Sequence, residues 1–124
     1  MRPEARPILR VLLDRHSRIC KPLALSASGV TDDDVYRCTI TYGALCNSAG
    51  VPWLTRAVGQ FLGQIADWCR ANGYPPINSL AVNAQTRVPD EGYDGAGGIC
   101  TDVGWPGKVR SAIAFTSYPS AWAV

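Results

Sequence analysis

The sequence predicts an α+β, winged-helix-like fold: a helix-turn-helix, a small antiparallel sheet and a long central amphipathic helix. Three observations carry this. Residues 39–66, TITYGALCNSAGVPWLTRAVGQFLGQIA, read in order as a short strand, a short helix, a turn and a long helix. Within the last of these, Leu54, Ala57, Val58, Phe61, Leu62, Ile65, Ala66, Trp68 and Cys69 form an apolar stripe at helical spacing. Beyond it, residues 79–83 (SLAVN) and a weaker β-prone run within residues 84–90 precede a glycine-rich stretch, the order expected of a wing.

A chain of 124 residues suits one domain. Its parts are a basic N-terminal helix in residues 1–22, the helix-turn-helix and wing core in residues 36–98, and a C-terminal helix and tail in residues 105–124. An apolar fraction of 47% excludes a disordered chain. No apolar run approaches the ~18 residues of a membrane span. The patch Ile8, Leu9, Val11, Leu12, Leu13 is interrupted by Arg10, a poor signal peptide and a better amphipathic helix, so a cytoplasmic location is expected.

Residues 4–15 predict the first helix, with Pro7 in its first turn and Lys21-Pro22 ending any continuation. Residues 23–34 read as a loop with a short strand at residues 23–25; Asp32, Asp33 and Asp34 read as a solvated turn and not a metal site. VYRCTITY, residues 35–42, is rich in β-branched and aromatic side chains and begins as a strand. Thr41 sits where an N-cap belongs, and two helical turns follow, closed by Gly50. After a turn at Val51-Pro52, the long helix runs from about Pro52 to Asn72, with Gly73 as its terminator. Residues 91–98, EGYDGAGG, lack the setting of a phosphate-cradling loop and suit tight turns. Pro106 opens a last helix, and Tyr118 and Trp122 of the tail are expected to pack on the body.

Five cysteines (Cys20, Cys38, Cys46, Cys69 and Cys100) form no C-x-x-C pair, and His16 is the sole histidine. Reduced, buried thiols with no zinc and no cofactor are expected. Charge is uneven: residues 1–22 carry a net +4 and the remainder −2. A basic arm suits phosphates or an acidic partner, while a plain solvated helix face would look the same.

The pieces TYGAL (residues 41–45), RAVGQ (56–60), NGYPP (72–76) and EGYDGAGG (91–98) resemble, in order, the C-terminal winged-helix domain of alkylguanine DNA alkyltransferases and alkyltransferase-like proteins. The resemblance implies DNA docking in which Arg56 enters the base stack and Tyr42 presses on a nearby phosphate. The family's PCHRV signature is absent, and its nucleophilic cysteine would fall near Leu80 or Ala81, so alkyl transfer does not carry over. A looser pattern (Thr41-Tyr42-Gly43, Pro75-Pro76, residues 80–83 and residues 89–93) is similar to small uncharacterised bacterial and phage proteins.

The leading expectation is a non-enzymatic protein that binds double-stranded DNA. Arg56, Gln60 and Gln64 are long hydrogen-bonding side chains on the polar side of the second helix, and Arg10 and Arg15 of the first helix are expected to meet phosphates. The alternative is a phage or mobile-element protein that inhibits a host nuclease or defence protein, anchored by aromatic residues among Trp53, Tyr74, Tyr93, Tyr118 and Trp122, most of which also suit a core. An enzyme would rest on His16 with Cys20, which lack an orienting third group, or on the cluster Asp90, Glu91 and Asp94.

Overall fold

The computed structural model describes residues 1–25, 30–89 and 104–124. The fold is α+β and mostly helical. Helix α1 (Ala5–Arg15) buries Ala5, Ile8, Leu9, Leu12 and Leu13. The chain does not stop at Pro22. It widens into a π turn (His16–Cys20), in which the Lys21 N–H reaches back to the His16 carbonyl, and continues as α2 (Lys21–Ala24). Proline cannot donate to the carbonyl four residues back and its ring crowds that carbonyl; widening the turn just before it relieves both problems. In place of the strand expected at residues 23–25, Leu23 and Ala24 end this helix and Leu25 is its C-cap turn.

The three aspartates are not a loop. They form the first turn of α3 (Asp32–Cys38). Thr31 caps it reciprocally: the Asp34 N–H donates to Thr31 Oγ1 at 3.2 Å, and the Thr31 N–H donates to Asp34 Oδ2 at 3.0 Å. Three carboxylates at the positive end of the helix dipole favour helix over the β preference of Val35 and Tyr36. What remains of the expected strand is β1 (Ile40–Thr41).

β1 pairs with β2 (Ala81–Val82) in parallel, with Ile40 opposite Ala81 and Thr41 opposite Val82. The expected antiparallel sheet is thereby corrected. Between the strands run α4 (Tyr42–Ser48), a 3-10 helix (Pro52–Ala57), α5 (Val58–Ala71) and a second 3-10 helix (Ile77–Leu80). Such a helical crossover returns the chain to the same edge, as parallel pairing requires. Residues 84–88 do not form the second wing strand. They turn, with the Asn83 N–H donating to the Val88 carbonyl at 3.0 Å and the Arg87 N–H to the Asn83 carbonyl at 2.8 Å. The glycine-rich stretch 91–98 lies outside the described residues.

The ends of the central helices follow the sequence closely. Thr41 caps α4 by accepting from the Ala44 N–H. Gly50 and Gly73, at φ 77° and 72°, close α4 and α5 in the left-handed conformation that glycine tolerates. At each, the next residue's N–H returns to the helix: Val51 to the Cys46 carbonyl at 2.9 Å, Tyr74 to the Cys69 carbonyl at 2.8 Å. The long helix differs at its start: Pro52–Ala57 is 3-10 and α5 proper begins at Val58.

The core gathers α1, α4, α5 and the Ile77–Leu80 turn around Ile8, Leu12, Leu45, Leu62, Ile65 and Leu80. α1 touches all three other elements and the terminal 3-10 turn (Ala121–Ala123), so it shares with α5 the role of spine. Helix α6 (Gly104–Ala114) starts two residues before Pro106 and buries Val109, Ala112 and Ile113, while Trp105 Nε1 donates to the Ser79 carbonyl at 2.7 Å. Tyr118 packs as expected, donating to the Pro75 carbonyl at 2.5 Å. Trp122 does not; it is 94% exposed. No helix of the described residues is long and apolar enough to cross a membrane.

Candidate nucleic-acid interface

The polar face of α5 and the 3-10 turn before it hold Arg56, Gln60 and Gln64, of which Arg56 and Gln60 are exposed; Arg10, on α1, is exposed as well. Pro52 opens the turn, and Thr55 Oγ1 donates to the Pro52 carbonyl at 2.8 Å. Leu54 packs on the core from the middle of the turn. Arg56, in the last turn of this helix, is exposed, and it makes no hydrogen bond or ion pair among the described residues. Gln60 is exposed in the first turn of α5. Gln64, one turn further on the same face, is half-buried, and its Oε1 accepts from the main-chain N–H of Arg2 at 2.8 Å. That bond brings the N-terminal arm against α5. Asp67 and Arg70 on the same helix pair at 3.0 Å.

The other selected residues are placed elsewhere. Tyr42 is 7% exposed and belongs to the core cluster, so its ring is not on the surface where a phosphate would lie. Arg10 Nε donates to the main-chain oxygen of Val124 at 2.8 Å, beside the terminal turn. Arg15 is committed to the fold: Nε donates to the Cys38 carbonyl at 2.9 Å, and Nη2 to the carbonyls of Arg37 and Thr39 at 3.0 and 2.7 Å. These carbonyls sit at the C-terminal end of α3, where orphan acceptors and negative dipole charge gather.

Two residues outside the sequence-selected set join the face. One is Arg2, carried there by its own backbone. The other is Trp53, read above as a candidate anchor that also suits a core, and here 74% exposed. On a 3-10 helix, side chains three apart eclipse, so Trp53 and Arg56 share one edge of the turn. A signal was available, since Trp53 falls outside the apolar stripe that begins at Leu54.

Catalytic groups do not assemble among the described residues. His16 is 3% exposed and bonds through Nε2 to the Ala112 carbonyl at 2.7 Å, with its ring against Tyr118 at 4.7 Å. Because the carbonyl can only accept, Nε2 carries the proton; burial holds the imidazole below its ordinary pKa. Cys20 does not partner it. The Cys20 thiol is hydrogen-bonded to Cys38, which raises the pKa of Cys20 and lowers that of Cys38. Burial pushes the Cys69 thiol up to about 11. Cys20, Cys38, Cys46 and Cys69 are buried and unbridged. No cluster of three or more His, Cys, Asp or Glu among the described residues could hold a metal. Cys100 and the cluster Asp90, Glu91 and Asp94 lie outside the described residues. A cleft of about 300 Å³ between α1 and the tail is lined by Asp14, Ser17, Lys21, Thr116 and Trp122, but Asp14 is already paired with Arg18 at 2.6 Å.

No protein-family model matches the chain, and neither a curated protein nor a solved structure does.

Proposed function

We propose that the protein is a non-enzymatic DNA-binding protein that docks the α4–turn–α5 unit, used as a helix-turn-helix in a winged-helix-like manner, on double-stranded DNA. The observation that carries this reading is Arg56: an exposed cation at the head of α5 with no acceptor among the described residues, followed by exposed Gln60. A helix N-terminus offers N–H groups and positive dipole charge, so the fold supplies no counter-charge there, and an external anion can. Arg2, whose main chain is held beside Gln64 two turns further along α5, brings a second cation near that helix. On this reading Arg56 and Arg2 would meet phosphates in place of Arg15, whose guanidinium is taken up by the carbonyls of Arg37, Cys38 and Thr39.

Fluorescence-anisotropy titration of a labelled duplex at two salt concentrations tests the reading. Micromolar or tighter binding at low salt is expected, weakening as salt rises, with Arg56→Ala costing about 1–3 kcal/mol. An absence of binding at micromolar protein in low salt would favour the other reading, a protein-binding inhibitor of a host nuclease or defence protein. The feature that favours this second reading is the pair of exposed tryptophans, Trp53 and Trp122.

A further inference from the structure

We infer that Trp53 is a stacking platform for an unpaired base, so that the surface prefers bulged or single-stranded nucleic acid over an intact duplex. This rests on the nucleic-acid reading above and adds to it the form of substrate. Val51 and Leu54 pack against the core, holding the start and the middle of the 3-10 helix, and Val58, the residue that follows its last turn, is buried. Trp53 is thus an exposed indole on a held segment. Ordering a rigid aromatic at an interface costs little entropy, because few torsions remain to be frozen.

Arg56 decides which occupant suits the indole. It lies three residues along a 3-10 helix from Trp53, on the same edge, and it is uncompensated by any carboxylate among the described residues. An aromatic face next to a free guanidinium matches a base joined to its phosphate: the ring takes the base, the cation takes the backbone. A stacked base pair inside a duplex has both faces covered and cannot use the ring; a bulged or single-stranded base can. Gln60, one helical turn on, adds an amide able to donate and accept at a base edge.

The experiment uses the full chain and three labelled probes of one sequence: an intact duplex, the same duplex with a single-nucleotide bulge, and the single strand. Wild-type protein should bind the bulged and single-stranded probes at least about fivefold more tightly than the duplex. Trp53→Ala should weaken those two by about 5- to 100-fold and leave the duplex within about twofold, whereas Trp53→Phe should restore most of the loss. Arg56→Ala should weaken all three. Since Trp53 and Arg56 are exposed, unchanged melting curves will show that the variants fold. Equal wild-type affinity for all three probes, or an equal loss on all three with Trp53→Ala, would overturn the stacking role and leave the nucleic-acid reading standing. No binding to any probe would remove both.

Discussion

Arg15 and Arg56 both lie at the end of a helix, and the protein uses them in opposite ways. Arg15 closes α1 and reaches across to the last carbonyls of α3, making three hydrogen bonds. Arg56 precedes α5 and makes none among the described residues. The polarity of the backbone accounts for the difference. A helix C-terminus presents acceptors that an arginine can satisfy, whereas the N-terminus of α5 presents donors and, with no acidic residue in its first turn, leaves the arginine unmatched. A cation is therefore open to a ligand according to which helix end it meets, a property that net charge does not reveal.

Unseating α5, the helix that follows Arg56, should do the most damage. Phe61 is buried in the α5 stripe, so Phe61→Ala should cost roughly 3–5 kcal/mol in urea unfolding, against about 0.5 kcal/mol or less for exposed Gln60→Ala. Equal losses would mean that α5 is not anchored as described. Next comes Arg15→Ala, which strips three carbonyls of a charged donor. It should destabilise by about 1.5–3 kcal/mol while DNA affinity stays within about twofold. A selective loss of binding, with stability intact, would put Arg15 on the interface after all.

The π turn on the Arg15 side also makes stability depend on pH. His16 is held neutral by burial, its folded pKa lying below the unfolded value near 6.5. Below that value the unfolded chain binds a proton that the folded chain refuses, so stability is lost as pH falls from about 6.5. The slope from this group is at most one proton, about 1.4 kcal/mol per pH unit. Urea midpoints from pH 8 to pH 5 check it, and His16→Asn should flatten the slope. A smaller effect is expected at the start of α3, where Thr31→Ala removes half of the capping box at a cost of about 1 kcal/mol, recoverable with Thr31→Ser. Smallest of all, Arg56→Ala should change stability by no more than about 0.5 kcal/mol, the inverse of Arg15, although it should weaken the proposed DNA binding.

The parts of this fold that were legible in the sequence are those set by local chemistry. Thr41 as a cap, Gly50 and Gly73 as terminators, and the stripe from Val58 to Cys69 depend on neighbours a few residues away, although Ala57, counted in that stripe from the sequence, is exposed. Misreadings arose where a local preference met a competing one. Val35 and Tyr36 favour strand, but the Thr31–Asp34 box with its acidic first turn starts a helix through them. Pro22 argues for a stop, but a π turn absorbs it. The site was less legible still. The bonds that commit Arg15 join residues 22 to 24 apart in sequence, and the one that brings Arg2 to Gln64 spans 62. No spacing rule encodes such pairs, so the sequence could nominate basic residues without saying which of them the fold would bind.

The two-residue parallel ladder has a consequence for the order in which the protein assembles. Pairing Ile40 with Ala81 closes a loop of about 40 residues, and the entropy of that closure is on the order of 3 kcal/mol before any constant is added. Two rungs of backbone hydrogen bonds do not offset this in a disordered loop. Packing of α4 and α5 on α1 shortens the loop, so the ladder is expected to shut last, as a latch. Its amides should then exchange with solvent more readily than those of α5, and the turn bearing Trp53 and Arg56, which packs on α4 and α5, takes its geometry with those helices, before the ladder shuts.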